Sequence, residues 1–147
     1  MSFRKALSLN PGQYGDVSIQ ANGILNLKTG TYQFKTLILQ PDVKINLDAL
    51  SGPLIVKVRD NMSFGDRFSM TLVPGSMPTQ VRFYSQQTTG LRLGTDSRFI
   101  GLLQAPLADI DVNSRPNQVG EATFYGTVQG KTIRLEPDVL VESLSIP

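Results

Sequence analysis

The chain has 147 residues, 40% of them hydrophobic, with 14 Lys plus Arg against 12 Asp plus Glu and a net charge of +2. That length fits one domain spanning residues 1–147, and the near-balanced charge, with no basic tract, argues against a nucleic-acid partner. Cys, His and Trp are absent, which removes disulfides, thiolate nucleophiles, the usual zinc ligands and every Ser-His-Asp or Cys-His catalytic arrangement.

Taken in chain order, short strand patterns are expected at 6–9, 16–19, 24–27, 31–34, 36–39 and 43–47. They continue at 53–58, 68–73, 80–85, 91–93, 98–104, 108–112, 122–128, 132–135 and 139–143. The breaks between them carry turn residues: Pro11-Gly12, Thr29-Gly30, Pro41-Asp42, Gly52-Pro53, Pro74-Gly75, Thr89-Gly90 and Pro137-Asp138. Residues 60–66 and 113–121 lack regular alternation, and the second stretch reads as a protruding loop. No window shows the apolar spacing of a helix, so little or no helix is expected. No apolar run reaches the roughly 20 residues of a membrane span. Met1 leads straight into a strand pattern with no secretory leader, which suits one module of a larger protein.

One phrase recurs: an aliphatic residue, any residue, Leu, any residue, Pro or Thr, then Gly or Asp. It begins at Leu7, Leu25, Leu37, Met70, Leu91 and Ile133. Repetition of this kind marks a solenoid, whose turns bury their apolar faces against one another. The steps from 7 to 25, from 70 to 91 and from 91 to 133 suggest rungs of roughly 18–21 residues, with 91 to 133 covering two. The short step from Leu25 to Leu37 places those copies on different faces of one turn. The fold expected is all-β, a single right-handed parallel β-helix of short strands. Leu7, Leu9, Leu25, Leu27, Met70, Leu72, Leu91, Leu93, Ile133 and Leu135 are expected to form one inward stack.

The runs LNPGQYGDVSI, ILNLKTGTYQFKTLIL and SGPLIVKVRDNMSF resemble a bacterial extracellular β-helix domain. SRFIGLLQAPLADIDV and ATFYGTVQGKTIRLEPDVLV continue the resemblance, which runs from Leu7 to about Val141. Such domains occur in "choice-of-anchor A" surface proteins and in pilus-assembly-associated proteins. A more distant similarity is to the ice-binding β-helix family, whose long flanking helix has no counterpart here. The resemblance implies a module exported to the cell surface or medium, without catalytic residues.

Asp109, Asp111 and Asn113 alternate along one strand and could offer oxygens to Ca²⁺ or to sugar hydroxyls. No Gly-rich Asp loop completes such a site, so a solvated face is preferred and no metal is expected. Asp111 should instead stand between Arg92 and Arg134 in a charge ladder across three rungs. Phe34, Phe64, Phe68, Phe83, Phe99 and Phe124 fit the core. Tyr84 and Tyr125, each beside an inward Phe, should point out, and Tyr14 borders a turn. These three tyrosines are the candidate ligand-binding residues, since exposed rings stack on pyranose faces. Tyr84 and Tyr125 are expected about 10 Å apart, two rungs along one face.

The carboxylates Asp109/Asp111 and Glu136/Asp138 are sequence neighbours rather than the opposed walls that glycoside hydrolysis uses. The reading is therefore non-enzymatic and needs no cofactor: an extracellular or cell-surface adhesion module binding polysaccharide along a flank of the solenoid. The alternative is a structural module of a pilus or surface layer with a protein partner. Ice or mineral binding ranks third, because the outward residues Ser8, Asn26, Ile38, Thr71, Arg92 and Arg134 are neither flat nor repetitive. Oligomeric state is left open by the sequence.

Overall fold

The computed structural model describes residues 2–3, 6–112, 124–135 and 141–142. Thirteen strands run in order among the described residues: β1 (Ser2–Phe3), β2 (Ala6–Ser8), β3 (Gly12–Ile19), β4 (Ile24–Lys28), β5 (Gly30–Leu39), β6 (Lys44–Asp48) and β7 (Leu54–Phe64), then β8 (Ser69–Leu72), β9 (Val81–Ser85), β10 (Leu91–Leu93), β11 (Phe99–Val112), β12 (Phe124–Leu135) and β13 (Val141–Glu142). A single 3₁₀ turn at Pro78–Gln80 is the helical element among the described residues. Every strand pairing among the described residues is parallel, as in Leu7 with Leu25 and Leu93 with Phe64, and the sheets stack as a β-solenoid of about 5 turns.

Each turn has three faces. Long strands supply two of them, because the inward phase flips at a corner within the strand. In β5 the buried residues are Tyr32 and Phe34, then Leu37 and Leu39. In β11 they are Leu103 and Ala105, then Ala108 and Ile110. Register shifts mark the same corners, between Phe34 and Thr36 and between Ala105 and Asp109. We call the segments 12–14, 30–34, 54–58, 81–85, 101–105 and 126–130 the first face. The second face holds 16–19, 36–39, 61–64, 91–93, 109–112 and 132–135. The third is the separate sheet β2-β4-β6-β8, extended by a bridge from Ser69 to Arg98.

The repeated phrase ends strands on two different faces, and its last residue tells them apart. Copies ending in Gly (Gly12, Gly30, Gly75) close third-face strands β2, β4 and β8. Copies ending in Asp at Asp42 and Asp96 close second-face strands β5 and β10. The corner after the second face needs one left-handed residue per turn: Asn22, Asp42, Arg67 and Asp96 have φ of 66°, 65°, 57° and 54°. Asp and Asn adopt that conformation at little cost because the short side chain bonds locally. The opposite corner at Gly30 has φ 135°, which only glycine tolerates well.

This division corrects the rung count. Leu7 pairs with Leu25, Leu25 with Ile45 and Ile45 with Met70 on the third face. Leu91 pairs with Ile110, and Ile110 with Ile133, on the second face. The step from 91 to 133 is two rungs as expected. The step from 70 to 91 is a change of face, of the same kind as Leu25 to Leu37. The expected single inward stack is thus two stacks that meet across the core.

Leu9, Leu25, Leu27, Met70, Leu91 and Leu93 are buried, and Leu7 and Leu72 pack partly exposed against them. Ile133 and Leu135 are 44% and 49% exposed. They keep the inward register, but β13 pairs only with Phe124 and Tyr125, so no described strand stacks on this part of β12. Phe64, Phe68, Phe83 and Phe99 form the centre of the core, with ring centroids 4.9 Å apart for Phe64 and Phe68 and 5.3 Å for Phe83 and Phe99. Phe34 is buried too. The Phe124 side chain lies outside the described residues.

Two features depart from the expected elements. Residues 60–64 belong to β7 rather than to an irregular stretch. After Ser85 the fourth turn leaves the sheet, and Gln87 replaces its backbone. The buried Gln87 Oε1 accepts from the Met62 N–H at 2.9 Å and from Ser85 Oγ at 2.7 Å. Its Nε2 donates to Asn61 Oδ1 and to the Thr89 and Gly90 carbonyls. The loop expected at 113–121 lies outside the described residues.

Candidate ligand-binding face

Tyr84 lies on β9 in the fourth turn. Its neighbours Phe83 and Ser85 are buried, which forces the tyrosine ring outward. Register places it in an outward column that crosses the whole first face: Gln13, Gln33, Lys57, Tyr84, Gln104 and Gln129. At rung spacing, neighbouring members are about 4.8 Å apart. Gln13 Nε2 donates to Gln33 Oε1 at 3.3 Å.

Where this face turns toward the second, a groove of about 520 Å³ runs beside the column. Tyr14, Tyr84, Gln86, Lys35, Lys57 and Arg59 are among the residues that line it. Tyr14 reaches it from a different position than expected. It pairs with Phe34, in inward phase, and stacks on that ring at 5.4 Å. Its hydroxyl donates to the Asn10 carbonyl at 2.6 Å. Tyr14 therefore forms one end of the groove with a fixed ring, while Tyr84 stands further along it.

Tyr125 is half-buried and packs against the core, and it does not stand opposite Tyr84. Tyr84 pairs with Gln104, and Gln104 pairs with Gln129, four residues beyond Tyr125 on β12. Two rungs and four residues of strand separate the tyrosines by about 16 Å rather than 10 Å. Tyr125 borders another groove, with Arg98, Ile100 and Met70, at the corner toward the third face. The three tyrosines make no continuous row. Tyr14 and Tyr84 share one groove, and Tyr125 lies in the other.

The electrostatics of the first groove are set by Lys35, Lys57 and Arg59. Arg59 Nε holds Asp60 Oδ1 at 2.9 Å. That hydrogen bond lowers the Asp60 pKa; desolvation opposes it, and the attraction of Arg59 and then of Lys35 adds to the lowering. Lys57 has no ion-pair partner among the described residues.

The charge ladder on the second face has the expected register, with Arg92 beside Asp111 and Asp111 beside Arg134. Arg92 turns to a different carboxylate than expected. Arg92 reaches Asp66, Nη2 to Oδ1 at 4.0 Å, and Asp111 Oδ1 is buried with no hydrogen-bond partner. Asp109 Oδ1 accepts from Thr132 Oγ1 at 2.6 Å. Asn113 lies outside the described residues, and among those described no group of three or more acidic, His or Cys side chains is placed to hold a metal ion.

The sequence reading missed Lys57, the glutamine column and the buried Tyr32. The signal for the first two was present, because VKV at 56–58 and FYS at 83–85 have the same inward–outward–inward form. No helix among the described residues is long and apolar enough to cross a membrane. Neither a family model, nor a curated protein, nor a solved structure matches the chain.

Proposed function

We propose that this β-solenoid is a non-catalytic extracellular binding module that takes polysaccharide along its first face. The observation that carries this reading is the groove shared by Tyr14 and Tyr84, with glutamine amides from successive rungs beside the rings. A pyranose presents an apolar face to an aromatic ring and hydroxyls to amide donors and acceptors. The rung repeat, close to the length of one sugar residue, lets a chain molecule repeat its contacts along the solenoid axis. Export rests on the resemblance of these rungs to bacterial surface β-helix domains. The absence of His and Cys from the sequence, and Asp109 and Asp111 being neighbours on one strand rather than opposed walls, support a non-catalytic role.

Retention on insoluble cellulose, chitin and xylan tests the reading. Tyr84→Ala should lose most retention on whichever polymer binds, with an unchanged melting temperature. Tyr125→Ala should lose less, because Tyr125 is outside the groove. Wild-type retention by Tyr84→Ala would remove the site.

The exposed Ile133 and Leu135 favour a second reading, a structural module of a pilus or surface layer with a protein partner. Sedimentation of the wild type and of Ile133→Lys at rising concentration tests it: self-association abolished by the lysine would support assembly through this end.

A further inference from the structure

The net charge of +2 conceals a segregation that the fold creates. The first-face segments contain Lys57 and Arg82 and not one Asp or Glu. Lys35 and Arg59 follow at the adjoining corner, where Asp60 pairs with Arg59. The second face carries Asp16, Asp109 and Asp111 with Arg92 and Arg134, and the third carries Asp48 with Lys28, Lys44 and Arg98, so the first is the face without an acid. In the chain Lys57 and Arg82 are far apart. In the fold they occupy adjacent rungs, because Lys57 pairs with Tyr84 and Arg82 lies two residues before Tyr84 on the same outward phase. Neither has an ion-pair partner among the described residues. Tyr84 is thus bordered by Lys57 about 4.8 Å away across the rung and by Arg82 about 7 Å away along the strand.

We infer that the polymer bound on the first face is an acidic polysaccharide, whose carboxylate groups are met by Lys57 and Arg82 while a sugar ring lies on Tyr84. This rests on the polysaccharide reading of the same groove. A site for neutral sugars gains from carboxylates, which accept two hydroxyl protons each; this face offers amides, an ammonium and a guanidinium instead. An isolated cation on an acid-free face attracts an anionic chain without competition from a neighbouring carboxylate. Asp16 and Asp60 stand at the corner, where Thr36 and Arg59 respectively engage them.

The test uses affinity electrophoresis through gels containing polygalacturonate or its fully methyl-esterified form, which share a backbone and differ in charge. The chain should be retarded by polygalacturonate, less so in 0.5 M salt at about the ionic strength that screens exposed charges. Lys57→Gln with Arg82→Gln should weaken that binding about tenfold or more, as loss of charge-assisted contacts does. Lys57→Gln alone should show part of the loss with an unchanged melting temperature. Lys28→Gln with Lys44→Gln removes the same charge from the third face and should leave binding intact. Equal retardation by both polymers would overturn the charge inference and leave the polysaccharide reading standing. Failure to bind either polymer, cellulose, chitin or xylan would overturn both. Duplex DNA bound as tightly as polygalacturonate, or an equal loss in the third-face variant, would also overturn the inference.

Discussion

The Tyr32 hydroxyl donates to the Leu9 carbonyl at 2.8 Å and accepts from the Lys28 N–H at 3.0 Å. It thereby ties together two third-face strand ends from inside the core, where Tyr32 is fully buried. Burial raises its pKa above the ordinary phenol value of 10.0, the Lys28 N–H bond opposes the rise, and the Tyr14 phenol adds to it.

Tyr32→Phe should cost about 1–3 kcal/mol, because it strands a buried N–H and a carbonyl. Chemical denaturation measures this directly. The raised pKa also sets a sign. A phenol whose folded pKa exceeds its unfolded value contributes stability that is complete below the unfolded value near 10 and is lost as pH rises toward the folded one. The wild type should therefore lose stability above that pH more steeply than Tyr32→Phe. Parallel loss in the two proteins would show that Tyr32 is not responsible.

Leu93 and Leu135 hold the same inward position in two copies of the phrase and should respond differently. Leu93 is fully buried, and Leu93→Ala should cost about 2–5 kcal/mol. Leu135 is 49% exposed, so Leu135→Ala should cost clearly less. Equal losses in urea denaturation would mean that the last described turn is covered in solution.

Gln87→Leu keeps the volume and removes a carbonyl oxygen and an amide that together serve Met62, Ser85, Asn61 and the 89–90 backbone. It should cost at least about 1–3 kcal/mol, since the Met62 N–H is left buried without a partner. Hydrogen exchange should quicken at Met62 before it does at Leu39. Unchanged protection at Met62 would contradict the role given to Gln87.

Asp111→Asn should change stability by no more than about 1 kcal/mol, in either direction. The carboxylate lies between two arginine rungs, yet one of its oxygens is buried without a hydrogen bond, so a favourable field and a desolvation cost oppose each other. A much larger loss in thermal melting would reveal a close pairing with Arg92 or Arg134. Calcium-dependent melting of the wild type would reveal a cation there.

Local sequence determined the fold class, because alternation, turn residues and a repeated phrase act over distances of a few residues. It fixed strand phase well enough that Phe83 is inward and Tyr84 outward, and that Arg92, Asp111 and Arg134 share a register. Even the face of a phrase was written locally, in the choice of Gly or Asp at its end, since the two corners require different backbone conformations. Tertiary structure decided what the phase could not. Which rungs are neighbours depends on loop lengths, and these vary from turn to turn. A shift of four residues along β12 therefore separates Tyr125 from Tyr84, while a coincidence of register brings Tyr84 beside Lys57. Acid-free character is likewise a property of a face assembled from six distant segments. No window of the chain contains it, because carboxylates are kept off this face by stacking and not by sequence.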